Sequence, residues 1–316
     1  MSKTQRYAPR RAWTCQLVLA LSLAGCHGPP AGRGAAAPEP VAAVQAMARA
    51  VADNDLVAYA RLSVPPAQYR RLETAWRADQ SRWPLTELPL HDQLLPLLQT
   101  LSAADGGPRL QQGFDRQLAG QAMAVRQAAR SMGVFGVQYL RHQDTYTASQ
   151  QAHYIQVVET LAGWAADAPL SDRARARASI AALTGGARAT QITDDAQLGQ
   201  AGMEASLRRL GPFIGTLKAV LASYGLDLDA SLRGVEGELI SRQGDNALVE
   251  LRYPLAGRTI TLKTPLTRRE GRWYLTRTLA DTDALLRVAD APDAAAGMAR
   301  RGVPGRGEAA GPRPGP

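Results

Sequence analysis

Apolar residues recur along this chain at two different periods. From residue 41 to about residue 224 they return every three or four positions, the spacing of one helix face; from residue 238 onward they alternate with polar ones, the spacing of a strand. Residues 41–52 and 56–62 read as two short helices joined at Asp53-Asn54-Asp55, with either Asn54 or Asp55 available to cap the second. Pro65-Pro66 opens a helix through Tyr69, Leu72 and Trp76, which Ser81-Arg82-Trp83-Pro84 breaks. Leu94, Leu98 and Leu101 form a stripe that ends at Gly106-Gly107. Leu110, Phe114, Leu118, Ala122, Val125, Ala129 and Met132 give the clearest amphipathic helix, and Ile155, Val158, Leu161 and Ala165 another. Ser171 is placed to cap a helix running to Leu183 and stopped by Gly185-Gly186. Leu207, Leu210, Ile214, Leu217, Leu221 and Tyr224 follow, with Gly211-Pro212 expected to kink or split that helix and Gly225 to end it.

The period-two region predicts four strands. Residues 238–243 lead to a Gly244-Asp245 turn. Ala247, Val249, Leu251 and Tyr253 then alternate with Leu248, Glu250 and Arg252; after Ala256-Gly257, Ile260 and Leu262 alternate with Thr259, Thr261 and Lys263; after Glu270-Gly271 comes Arg272-Trp273-Tyr274-Leu275-Thr276. Short turns between alternating runs predict an antiparallel meander with one wet face and one face packed on helices. Asp281 is placed to cap a last short helix through Leu285 and Val288. The expected fold class is therefore α+β: a predominantly helical N-terminal and middle region followed by a C-terminal antiparallel β-meander and short helix.

The N-terminus has a different logic. Lys3, Arg6, Arg10 and Arg11 precede a mostly apolar run of about 12 residues that ends Leu23-Ala24-Gly25-Cys26. A basic head, a short apolar middle and small residues before a cut are the parts of a secretory signal; a permanent membrane span needs about 20 apolar residues. Leu23-Ala24-Gly25-Cys26 resembles the lipobox of bacterial lipoproteins. That resemblance covers the first 26 residues and implies cleavage after Gly25, a thioether-linked diacylglycerol on Cys26, and stable anchoring by several acyl chains, each buried CH₂ contributing about 0.8 kcal/mol. It also implies that His27, standing where an Asp signals inner-membrane retention, favours the periplasmic face of the outer membrane. Arg10-Arg11-Ala12-Trp13 is loosely similar to a twin-arginine export signal, with poor flanks, so the export route stays open. Cys15 would leave with the leader and Cys26 would be alkylated, so the mature chain would hold no free thiol and no disulfide.

The organisation that follows is a signal peptide at 1–25, a flexible tether with lipidated Cys26 at 26–40, a helical region at 41–225, the meander plus short helix at 226–290, and a disordered Gly/Pro/Arg tail at 291–316. Residues 27–40, HGPPAGRGAAAPEP, cannot form a core and reach at most about 46 Å.

Composition changes the picture only in part. The 316 residues carry 37 Lys plus Arg and 28 Asp plus Glu, a net +9 that invites a nucleic-acid reading. The leader holds four of the positive charges and no acid, so cleavage lowers +9 to +5. The tail from Gly297 holds Arg300, Arg301, Arg306 and Arg313 against Glu308, which leaves the body between them near +2. The expectation is thus no nucleic-acid partner, a membrane contact through Cys26, an envelope protein as possible partner, and an Arg tail near anionic lipid.

Catalytic motifs are missing from the sequence: no nucleophile elbow, no P-loop, no dinucleotide glycine fingerprint and no His-Glu-x-x-His. His142 and His153 would lie about 16 Å apart on a single helix, too far for one ion. No cofactor, metal or catalytic residue is expected, and the chain reads as a non-enzyme. The acidic pairs, Asp194-Asp195 among them, stand at predicted element ends, where they cap helices. Trp83-Pro84 lies in a proline-punctuated loop, with Trp83 expected to tuck under the helices.

A second resemblance covers about 80 residues. Asp53-Asn54-Asp55 followed by Ala58-Tyr59-Ala60, and a terminal Gly271-Arg272-Trp273-Tyr274-Leu275, are similar to the cystatin-like α+β roll of the SnoaL-like group. The helical block at about 64–195 departs from that pattern. In that group catalytic carboxylates line the concave sheet face, which makes Glu250, the one acid inside a predicted strand with Tyr253 on the opposite face, the residue to examine. Tyr253, Trp273 and Glu250 are accordingly the candidates for a ligand pocket, against the plainer expectation that the aromatics pack the core.

Overall fold

The computed structural model describes residues 39–88 and 91–301. The leader, Cys26, the tether up to residue 38 and the tail from residue 302 lie outside the described residues.

The fold opens with α1 (Pro40–Ala52), α2 (Leu56–Ser63) and α3 (Pro66–Arg77). A proline in the first turn starts α1 and α3, where the missing N–H has no partner to lose. Asp55 caps α2 by accepting the Ala58 N–H at 2.9 Å, while Asn54 makes the turn itself at φ 60°. A 3₁₀ turn at Leu85–Glu87 follows the Trp83-Pro84 break. Then come α4 (His91–Ser102), α5 (Gly106–Gln117), α6 (Ala122–Arg141), α7 (Ala148–Asp167) and α8 (Arg173–Thr190). The helical region closes with α9 (Asp195–Ala201), α10 (Met203–Ser223) and α11 (Leu228–Arg233). Asp194 caps α9, accepting the Gln197 N–H at 2.8 Å.

Several helix boundaries differ from the periodicity. The run from Leu110 to Met132 is two helices, because Gly120, at φ 73°, turns the chain between α5 and α6. Gly185-Gly186 lies inside α8, not after it. Gly186 leaves room for Thr216 of α10, whose Oγ1 would stand 3.2 Å from a Cβ there. The cap of α8 is Asp172, which accepts the Arg175 N–H at 2.9 Å, one position past Ser171. Gly211-Pro212 is likewise inside a continuous α10, and a side chain at 211 would collide with the Asn54 carbonyl.

Strands β1 (Glu236–Gln243), β2 (Asn246–Leu255), β3 (Arg258–Arg269) and β4 (Arg272–Leu275) form one antiparallel sheet in the order β1-β2-β3-β4. All three connections are two-residue hairpins. Positive φ at Gly244, at Ala256-Gly257 and at Glu270-Gly271 gives the turn twist that matches twisted strands. The last helix, α12 (Thr276–Arg301), follows β4 with no intervening loop and starts before Asp281, which pairs with Arg277 one turn back at 3.5 Å.

Two cores result. In the first, Val249, Leu251 and Tyr253 of β2 and Ile260 and Leu262 of β3 face Val44, Met47 and Ala48 of α1, with Val157 of α7 and Leu232 of α11 at the margins. The second is helical: Leu72, Trp76, Trp83, Leu98, Leu207 and Phe213 pack together, and Leu286 of α12 joins them. Fully burying each of these side chains contributes about 1.5–3 kcal/mol. The chain is thus α+β, a helical N-terminal and middle region followed by the meander and its closing helix.

β4 is short. It pairs only with Leu266–Arg269, so the earlier half of β3 has no strand on that side. Helix α7 fills the gap with Gln156, joined at the Thr261 carbonyl by His153 Nδ1 at 3.3 Å. The Thr261 N–H donates to Gln156 Oε1 at 3.1 Å, and Gln156 Nε2 donates to the Thr261 carbonyl at 3.4 Å. A glutamine amide thereby stands in for a neighbouring strand.

Candidate functional site

The three residues expected to share a pocket are not brought together on one face of the sheet. Tyr253 and Trp273 point into the sheet core and are buried, beneath α1. The Arg242 guanidinium lies 5.2 Å above the Trp273 ring. Glu250 is an odd number of residues from Tyr253 on the same strand, and side chains alternate, so it faces the other way. There Arg252 donates to its Oε1 at 3.0 Å and Lys263, directly across the ladder, stands 3.7 Å from Oε2. Arg252 also reaches Glu238, the cross-strand neighbour of Glu250, at 3.3 Å, so one arginine separates two facing carboxylates. This is a solvent-side charge ladder. Cys26 lies outside the described residues.

Other polar side chains are drawn inward, each with a structural partner. Glu87 accepts from the Trp83 indole at 2.8 Å and from the Tyr59 hydroxyl at 3.0 Å. Burial raises its carboxyl above the usual range, and the two donors only partly offset this. Burial, and then the charge of Glu87, push the Tyr59 hydroxyl well up. Trp83, in the proline-punctuated loop, does tuck under the helices. Lys218 of α10 is buried, donates to the carbonyls of Val51 and Ala52 at 2.8 and 3.0 Å, and pairs with Asp229. It closes the C-terminal end of α1, where a cation is favoured. Arg82 binds both oxygens of Asp195 at 2.7 Å, pairs with Asp79 and covers the Trp76 ring at 5.2 Å.

His142 and His153 stand on different elements. His142 caps α6 with Nδ1 on the Gln138 carbonyl at 2.7 Å, and His153 is buried within α7. Nδ1 of His153 lies 3.3 Å from the Thr261 carbonyl, and its Nε2 has no hydrogen-bond partner. Burial lowers its pKa to about 4, so the ring is neutral at pH 7. Among the described residues no three His, Cys, Asp or Glu side chains gather as a ligand set for a metal ion. No helix among them is long and apolar enough to cross a membrane.

Helix α6 is apolar on two sides. Gly133, Val137 and Leu140 face α7, and Gly133 lets the backbones close up at Ala162, whose Cβ a side chain at 133 would strike. On the outer side Met132 and Phe135 are 73% and 72% exposed, with Tyr139 also exposed; Met123, 74% exposed, and Val134 stand roughly a third of a turn round the axis from Phe135, on the side of Arg130. Ala124, Ala128, Met132, Phe135 and Tyr139 follow one another at spacings of four, four, three and four, one line along a helix. The helix has no carboxylate and three arginines, Arg126, Arg130 and Arg141. The sequence signal for this face was that second line of apolar residues, running through Met132.

Comparison with family models, with curated proteins and with solved structures returns no match for this chain.

Proposed function

We propose that this chain is a lipid-anchored lipoprotein on the periplasmic face of the outer membrane, a non-catalytic binding or assembly factor of the cell envelope. The observation that carries this reading is the leader: the basic head, the short apolar run and Leu23-Ala24-Gly25-Cys26. An α1 lying across a four-stranded meander supports the roll-like reading of residues around 40–60 and 226–290. The commitment of Glu87, Lys218, Glu250 and Arg82 to structural pairs favours a role through surfaces over chemistry in a cleft. Tyr253 and Trp273 are buried in the core of the sheet, which favours packing over a ligand-lined face.

The test is acylation. The chain expressed in a Gram-negative host with labelled palmitate is expected to incorporate the label and to float with outer-membrane vesicles. Cys26→Ala should abolish labelling and leave the precursor uncut. Unchanged membrane attachment and processing in that variant would overturn the reading.

A further inference from the structure

We propose that the outer face of α6 is a docking surface for an anionic lipid bilayer, a second membrane contact beside the lipid on Cys26. The inference rests on the anchoring reading above and adds to it where the body of the protein touches the membrane.

Three observations point to lipid. Met132, Phe135 and Tyr139 stand in solvent along one line of the helix, Met123 and Val134 stand in solvent roughly a third of a turn further round, and Leu118 in the turn before the helix is also exposed. Exposed apolar surface of this extent on one element marks an interaction site. Second, the helix is basic throughout: Arg130 and Arg141 are exposed, Arg126 is partly buried with Nε on the Ala166 carbonyl at 3.1 Å, and no acid breaks the charge. An apolar face on an arginine-bearing helix is the pattern of helices that lie in the headgroup region of anionic membranes. Third, α6 is packed along its other side on α7, so it can lie on a bilayer but not enter one as a span.

Charge also argues against the nearest rival, a second copy of this chain. Two α6 helices meeting face to face would bring Arg130 and Arg141 of each copy together with no carboxylate from either helix, Arg126 being turned to the Ala166 carbonyl. An anionic surface offers each of them a counter-charge. The tether strengthens the contact: residues 27–40 reach at most about 46 Å, so an anchored body stays beside the bilayer, and even a weak contact becomes intramolecular.

The experiment uses the acylated full chain. An alkylated Cys26 and a removed Cys15 leave no other thiol, so a cysteine introduced at one position can carry a single environment-sensitive fluorophore. Two variants are compared, Met132→Cys on the α6 face and Ala189→Cys on exposed α8. Each is reconstituted into vesicles of phosphatidylethanolamine and phosphatidylglycerol, with and without lipid spin-labelled near the headgroup. The expected result is a blue shift and quenching by the spin label at Met132→Cys, with neither at Ala189→Cys. Adding Phe135→Asp, at a side chain that is 72% exposed, should remove the quenching while the helical circular dichroism stays unchanged. A floating protein whose Met132→Cys probe behaves like the Ala189→Cys probe overturns the proposal and leaves the anchor standing. A probe that is blue-shifted but unquenched means that protein covers the face, and also overturns it. A chain that fails to float overturns the anchor, and the proposal with it.

Discussion

Glu87 takes its hydrogen bonds from an indole and a phenol, and that choice of partners has a measurable consequence. Glu87→Ala would leave the Trp83 N–H and the Tyr59 hydroxyl without their acceptor, at about 1–3 kcal/mol for each orphaned group. Glu87→Gln can still accept from Trp83 and can donate to Tyr59, and it removes a charge that burial disfavours. It should unfold in urea close to the wild-type midpoint, while Glu87→Ala unfolds well below it; equal loss in both variants would contradict this account. His153 gives a pH signature. Its folded pKa of about 4 lies below the unfolded value of about 6.5, so between those values the unfolded chain binds the proton and the folded chain does not. Stability contributed by the neutral ring is whole above pH 6.5 and falls by about 3 kcal/mol on the way to pH 4. Unfolding free energies at pH 7 and pH 4.5 should differ less in His153→Phe than in wild type. At this scale the sequence was readable where the partner is close: Asp55 and Asp194 cap helices three residues on, as their positions suggested. Glu87 was not readable, because Tyr59 is 28 residues away and a lone glutamate carries no sign of burial.

Among elements, the seam between α7 and β3 depends on Gln156 and His153. Gln156→Ala removes the acceptor for the Thr261 N–H and one of the two ring or amide nitrogens at its carbonyl, His153 Nδ1 being the other, and should cost about 1–3 kcal/mol. The Thr261 amide should also exchange with deuterium much faster than the amide of Leu262 beside it, which belongs to the β2–β3 pairing; equal protection of Thr261 in both proteins would show that the glutamine is dispensable. The β2–β3 hairpin was legible residue by residue, because alternation fixes the facing of Val249, Leu251 and Tyr253 and the two-residue turn fixes the register; the shift of β1 register between Leu239 and Ser241 was not, since β1 is exposed throughout and buries no face. The helices were legible as existing but not as bounded. Gly186 looks like a stop in sequence and Gly211 like a kink or split, and in the structure both are points of close approach, a difference that depends on Thr216 and Asn54 arriving from elsewhere. Periodicity also locates an apolar line without saying whether anything covers it. Met132 ended the inferred stripe and stands in solvent.

For the molecule as a whole, the change of period after residue 224 marks the change from helices to the meander. What the pattern could not give is that α1 belongs with the meander: the first helix of the chain packs on strands some 200 residues later, and nothing local records so distant a contact. That pairing has a mechanical consequence. In an anchored chain any tug from the membrane arrives at Pro40, the first residue of α1. The helix taking that load is no peripheral handle, since Val44, Met47 and Ala48 are clamped against the sheet and Lys218 grips its far end. Tension would therefore be borne in shear across the sheet core, and the attachment point would be among the last parts of the body to give way.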